Sequence, residues 1–243
     1  MFLTLLTGCI ENTTDFNENG SNIRDNLLVY CSEASPQSFN PQLVTSGTTF
    51  DASAKPLYNR LVDFKKGTSS IEPSLATSWN VSNDGKEYTF YLRKGVAFQQ
   101  TEYFKPTRNF NADDVLFSIL KQKNKTHPFH KTSQLGYRYF HSMGFDSLIE
   151  KLEKIDNYTV KFSLKQAESP FLSILAMDFA SILSAEYGEQ LLAKNKPHQI
   201  DHLPIGTGPF QFIKYTSNAS IRYRAHPNYW KGEEKLKELV FAI

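Results

Sequence analysis

Hydrophobic residues along this chain recur mostly with a period of two, in short runs separated by turn-forming residues. Trp79 and Val81 alternate with polar neighbours, Asp84-Gly85 offers the left-handed backbone of a tight turn, and Tyr88, Phe90 and Leu92 alternate again. This pattern predicts a β-hairpin. A second hairpin is predicted from Leu152 through an Asp156-Asn157 turn to Val160, Phe162 and Leu164. The alternating stretches Gln211 to Tyr215 and Ile221 to Arg224 predict two more strands. Leu27-Leu28-Val29-Tyr30-Cys31 is a continuous apolar run, the pattern of a buried strand. Glu238-Leu239-Val240-Phe241-Ala242-Ile243 predicts a strand with no turn or polar tail after it, which reads as a truncation.

Helical spacing is rarer. Asn111 is a capping residue, Asp113 and Asp114 suit a positively polarised first turn, and Val115, Leu116, Ile119 and Leu120 form one apolar face. A helix is therefore predicted from Asn111, fading by Lys125. Ser169-Pro170 predicts a second helix start by a cap and a first-turn proline, with Leu172, Leu175, Ala176 and later Leu183 as its buried stripe. Ala52 to Asn59 is helical only in part, because Pro56 fits best in a first turn. Thr45-Ser46-Gly47-Thr48-Thr49 predicts a small polar turn, and Gly206-Thr207-Gly208-Pro209-Phe210 a specific turn imposed by two glycines and a proline.

Composition narrows the function classes. The 243 residues are enough for a substantial core, 40% hydrophobic and 21% charged residues are ordinary for a soluble globular chain, and 19 Phe with 12 Tyr favour strands. Its 27 basic and 25 acidic residues are dispersed, so there is no footprint for nucleic acid. After Cys9 no stretch approaches the roughly 20 apolar residues of a membrane-spanning helix. Leu6-Thr7-Gly8-Cys9 resembles a bacterial lipobox, with Cys9 the lipid attachment point and residues 1–9 a shortened lipoprotein signal without a positive n-region. Such a lipid would tie the chain to a membrane reversibly. Residues 10–26 are polar and rich in Asn and Thr, as a tether is, and structure is expected from Leu27.

Candidate chemistry is sparse. His127-Pro128-Phe129-His130, with His141, invites a metal or haem reading, but Pro128 disfavours helical backbone at His127, and packing or surface histidines are expected. Asp113 and Asp114 point about 100° apart on a helix and serve as first-turn acids rather than an acid-base pair. Gly206-Thr207-Gly208 lacks the further glycine of a dinucleotide fingerprint and the Gly-Lys-Ser/Thr of a P-loop, so it is a structural turn. No Gly-x-Ser-x-Gly, His-Glu-x-x-His or Cys-x-x-Cys occurs. Neither a metal nor a cofactor is expected, and a cell-envelope enzyme with dispersed catalytic residues is the less favoured class.

A dense series of segments carries a resemblance. It runs through Leu28-Val29-Tyr30-Cys31-Ser32-Glu33, Phe39-Asn40-Pro41, Thr45-Ser46-Gly47-Thr48, Leu57-Tyr58-Asn59-Arg60-Leu61-Val62 and Leu92-Arg93-Lys94-Gly95-Val96. It continues through Phe104-Lys105-Pro106-Thr107-Arg108, Asn111-Ala112-Asp113-Asp114-Val115, Ala176-Met177-Asp178-Phe179-Ala180-Ser181-Ile182-Leu183 and Gly206-Thr207-Gly208-Pro209-Phe210. Over residues 27–243 the chain resembles the N-terminal half of the bacterial extracellular solute-binding proteins of family 5, the dipeptide-binding and haem-binding type.

That resemblance implies an α/β, periplasmic-binding-protein-like large lobe of class II type, with a mixed β-sheet, flanking helices and hairpins, and no second lobe. It implies a lobe over residues 27–243, with a core sheet from 27–62 and 200–243 and an inserted subdomain at 63–199. Thr45, Ser46 and Gly47 would line the ligand site, since small residues let backbone and hydroxyl groups approach a ligand closely. The implied ligand is a small peptide or haem, and the implied partners are the permease and ATPase subunits of an ABC importer. The implied location is the periplasm or cell envelope, and one lobe alone is expected to bind weakly. Cys31 matches a family cysteine whose partner lies beyond Ile243, leaving it free or mispaired with Cys9. An alternative is a non-functional remnant of an interrupted gene.

Overall fold

A computed structural model of the chain describes residues 26–132 and 136–243. The lipobox at Cys9 and the predicted tether, apart from Asn26, lie outside the described residues. Strands run in the order β1 (Leu27–Cys31), β2 (Val62–Phe64), β3 (Ile71–Pro73), β4 (Ala76–Val81) and β5 (Glu87–Leu92). Then follow β6 (Ile149–Asp156), β7 (Thr159–Leu164), β8 (Phe210–Thr216), β9 (Ser220–Ala225) and β10 (Glu238–Ala242). The α-helices are α1 (Gly47–Ala52), α2 (Ala54–Leu57), α3 (Ala112–Lys123), α4 (Arg138–Ser142), α5 (Phe145–Leu148), α6 (Phe171–Leu175) and α7 (Ala185–Ala193).

Two four-stranded sheets carry the architecture. One has the order β1-β10-β9-β8, mixed because β1 runs parallel to β10 while the other neighbours are antiparallel. The second, β4-β5-β7-β6, is antiparallel throughout and holds both predicted hairpins. A ribbon of β2 and β3 lies between them in sequence and straddles residue 63, the expected subdomain boundary.

Alternation decides which faces are buried. Phe90, Val160 and Phe162 point inward from the second sheet at zero exposure, and Phe171 of α6 packs 5.5 Å from Phe162, ring to ring. In the first sheet Phe212, Ile221, Tyr223, Leu239 and Phe241 face the core. β1 departs from expectation. It is a strand, but every residue is exposed, with Leu28 at 46% and Val29 at 53%. It occupies the sheet edge, with β10 as its neighbour, so its apolar run records a demand for burial that the described residues do not meet.

α3 begins where expected. Asn111 Oδ1 accepts from the Asp113 amide at 2.8 Å, and the Asn111 amide donates to Asp114 Oδ2 at 2.9 Å, a reciprocal cap worth about 1 kcal/mol. The helix ends at Lys123, within the expected limit of Lys125. Asp114 is fully buried, and its carboxylate also accepts a two-pronged Arg108 bond at 2.7 and 2.9 Å and the Ala185 amide at 2.8 Å. A single acid thus ties the 108–111 loop, α3 and the start of α7 together.

Elsewhere the local reading needs correction. α6 starts at Phe171 with Pro170 in the capping position and no side-chain cap, so Ser169 does not cap it. The helix stops at Leu175, because a bend and a 3-10 turn at Asp178–Ala180 intervene. Leu183 is therefore buried from an extended segment, not from that helix, and Leu172 is only half-buried. Thr45 to Thr49 is not a free turn. Ser46 occupies the N-cap position of α1 and Gly47 is the first helical residue.

Candidate functional site

The Gly206 turn sets the position of α1 and α2. The Gly208 amide donates to the Leu57 carbonyl at 2.9 Å, and Gln99 Nε2 donates to the carbonyls of Leu57 at 3.0 Å and Phe210 at 2.5 Å. Gln99 Oε1 accepts the Gly206 amide at 3.0 Å. One buried amide therefore clamps the end of α2 to the strand-entry turn of β8, and both glycines are needed because Leu57 backbone occupies the space a side chain would take. Expectation and structure agree that this segment is structural.

α1 has a buried face and an open one. Thr49 and Ala52 are buried, and Thr49 Oγ1 accepts the Gln37 amide at 3.1 Å. Thr45 and Gly47 are exposed and Ser46 and Thr48 partly so. Ser46 Oγ lies 2.8 Å from Thr48 Oγ1, so its recorded partner is a hydroxyl and neither an imidazole nor a carboxylate. A β-carbon on Gly47 would meet nothing within 4 Å. The three residues singled out in the sequence are thus brought together as a small, polar, open ledge.

The ledge has apolar and charged flanks that sequence reasoning did not assign. Phe50, one helical turn from Gly47, has its ring 6.3 Å from that of Tyr139, which is 5.0 Å from Phe179. Tyr139 Oη also donates to Met177 Sδ at 3.7 Å. Asp51, on the same side of α1, pairs with Lys55 at 2.5 Å and accepts from Tyr30 Oη at 3.2 Å. Arg60 bridges Asp63 and Asp178, the latter at 3.4 Å. The Asp51 charge raises the Tyr30 hydroxyl above its usual value, and burial raises the Asp178 carboxyl against the pull of Arg60. Half-buried Tyr and Met beside a loop of small residues would have been the signal, but their approach to α1 depends on tertiary folding.

Histidines take packing roles. His127 Nδ1 accepts the Phe129 amide at 3.2 Å, His130 Nδ1 contacts the Lys121 carbonyl at 2.9 Å, and His141 Nδ1 sits 3.0 Å from Asp146 Oδ2. Among the described residues no group of three or more His, Cys, Asp or Glu is placed to hold a metal ion. Cys31 is exposed and forms no disulfide among the described residues. No described helix is long and apolar enough to cross a membrane.

Comparison with known proteins gives these features a context. The chain is 53% identical over 223 residues to the dipeptide-binding protein of Escherichia coli K12, covering 92% of this chain and 42% of that protein. It is 48% identical to heme-binding protein A of Haemophilus influenzae, covering 90% of this chain and 40% of the relative. Among solved structures, the dipeptide-binding protein of Pseudoalteromonas sp. SM9913 in complex with Met-Leu superposes with a TM-score of 0.87 at 45% identity, covering 89% of this chain and 43% of that one. The chain therefore spans about two fifths of the length of the relatives it matches. The family model described as bacterial extracellular solute-binding proteins, family 5 Middle, matches residues 70–243. With an α/β fold of mixed sheets and helices shared with these relatives, the chain belongs to the bacterial extracellular solute-binding proteins of family 5.

Proposed function

We propose that this chain supplies one wall of a ligand-binding cleft in the substrate-binding component of an ABC-type importer for dipeptides, oligopeptides or haem. Thr45, Ser46 and Gly47 form the polar part of that wall, and Phe50, Tyr139 and Met177 form its apolar flank. The observation that carries this reading is the open ledge at Gly47, where exposed small residues precede Phe50, whose ring lies near that of Tyr139. Hydroxyls and backbone suit the polar frame of a peptide, and rings with a thioether suit an apolar side chain or a porphyrin edge. The opposing wall belongs to polypeptide equivalent to the unmatched three fifths of the relatives, so affinity depends on closure of both.

Lipid attachment at Cys9 would hold this component at the membrane near its permease and ATPase partners, in the periplasm or cell envelope. Calorimetric titration with Met-Leu, a longer peptide and haem tests the reading. The chain alone is expected to give no saturable heat with any of them up to about 100 μM, a level at which a complete cleft of micromolar affinity would saturate. Joined to the remaining portion of the E. coli relative, it is expected to bind one of the three. Tight binding by the chain alone, or binding by the joined protein that is indifferent to changes at residues 45–47, would reject the proposal.

A further inference from the structure

A cavity of about 680 Å³ opens between the 97–109 loop and the paired ends of β8 and β9, and residues 45–47 take no part in its lining. Its polar wall includes Thr107, Arg108, Gln211, Arg224, His226 and Asn228, and no carboxylate lines it. Two guanidinium groups are held there by buried side chains. Gln211, 3% exposed and directly opposite Arg224 in the β8-β9 ladder, accepts from Arg224 Nε at 2.8 Å. Buried Asp114 holds Arg108 by the two-pronged bond described above, which balances that charge, and Arg108 Nη1 also donates to the Asn109 carbonyl at 3.0 Å. Glu186 is engaged with the amide and hydroxyl of Thr107, and Glu238 of β10 is the cross-strand neighbour of Arg224 on the side away from Gln211.

The third fixed group is His226, 1% exposed, whose Nδ1 lies 3.1 Å from the Gly208 carbonyl. Burial keeps this imidazole towards its neutral form, so it acts as a hydrogen-bonding wall rather than a charge. Arg224 is thus the cation of the cavity that has a neutral amide, not a carboxylate, as its recorded partner. A guanidinium oriented through Nε, with no hydrogen bond at either terminal nitrogen among the described residues, presents the fork that matches a carboxylate, and orientation by a buried neighbour lowers the entropy lost when it binds. The volume exceeds what a lone inorganic ion fills and suits a small molecule.

We propose that this cavity binds a small carboxylate-bearing molecule, with Arg224 as its anion contact, at a site separate from the Thr45–Gly47 ledge.

The test is calorimetric titration of the full chain with citrate, with inorganic phosphate, and with sodium chloride at matched ionic strength. Citrate is expected to bind saturably, and Arg224→Gln to weaken it by about tenfold or more. Asn228→Asp, which places a negative charge on the wall without disturbing Arg224, is expected to weaken it similarly, whereas Ser46→Ala leaves it unchanged. Heat from citrate no greater than from sodium chloride, or wild-type binding in both the Arg224 and Asn228 variants, overturns the site. Phosphate binding as tightly as citrate overturns the carboxylate assignment. Loss of citrate binding in Ser46→Ala overturns the separation from the ledge.

Discussion

A β-carbon at Gly206 would lie 2.0 Å from the carbonyl oxygen of Leu57, and one at Gly208 would lie 2.4 Å from the Leu57 carbonyl carbon. Both obstacles are main chain, which cannot rotate away as a side-chain tip can. Gly206→Ala and Gly208→Ala should each cost about 3 kcal/mol, lowering the thermal midpoint by roughly 6–12 °C. Denaturant unfolding with unchanged slope would measure it. A loss below about 1 kcal/mol would mean that the turn and α2 can separate, and that α1 is positioned by something else.

Gly47 makes the opposite case. Its β-carbon would meet nothing within 4 Å, and it begins a helix, where alanine is the better former by up to about 1 kcal/mol. Gly47→Ala should leave stability unchanged or slightly higher. In the protein completed with its second lobe, the same change should weaken peptide or haem capture by about tenfold, because an added methyl holds the ligand off the backbone. Stability and affinity that fall together would point to a structural role for Gly47 instead.

How much was legible in the sequence follows from how local each cause is. The hairpins at 79–92 and 152–164 and the Asn111 cap depend on residues within a few positions of one another, and each appears where its pattern put it. The Gly206 turn was also recognisable, though its reason, contact with Leu57 some 150 residues away, was not. β1 misled because an apolar run specifies what a strand needs, while exposure depends on which elements are present to cover it. Ser169-Pro170 carried the letters of a helix start, yet the backbone entered one residue later. At the ledge, Thr45 to Thr49 read as a small polar turn, and the expectation that Thr45, Ser46 and Gly47 line a ligand site came through resemblance alone. Phe50, Tyr139 and Met177 meet across up to about 130 residues of chain, and no spacing rule joins them.

Lys121 is a buried cation with thin support. It is wholly inaccessible, its ammonium lies 3.4 Å from Tyr137 Oη and over the rings of Tyr137 and Phe117, and the nearby acid is Asp201. Burial lowers its pKa to about 8, below the value of a free lysine. Between pH 8 and the unfolded value the unfolded chain binds more protons than the folded one, so this group makes stability rise with pH across that window. Below pH 8 both states carry the proton and the burial cost is constant. Lys121→Met should therefore stabilise the protein at pH 7 by about 2 kcal/mol and flatten the rise between pH 8 and 9.5. Equal pH slopes in the two proteins would show that Lys121 keeps its ordinary affinity for protons.

The open edge of β1 should govern how the isolated chain behaves at concentration. Leu28, Val29 and Tyr30 are 42–53% exposed on a strand with one hydrogen-bonded neighbour. Beside them lies a mainly apolar hollow of about 320 Å³ lined by Leu28, Tyr30, Pro56, Phe210, Leu239 and Phe241, with the paired Asp51 and Lys55 also in its wall. An unpaired edge bearing apolar side chains on both faces is a template for another strand, and water is released wherever one docks. In the absence of a covering polypeptide, the chain is expected to associate reversibly at tens of micromolar, seen as a concentration-dependent mass in light scattering. Leu28→Lys combined with Val29→Lys places charge on opposite faces of the strand and should return the mass to that of one chain. Tyr30 is left in place to keep its bond to Asp51 and its ring contact with Phe241 at 4.7 Å. Association that persists in the double variant would locate the sticky surface elsewhere, with Ile155 of β6, 56% exposed, the next residue to replace.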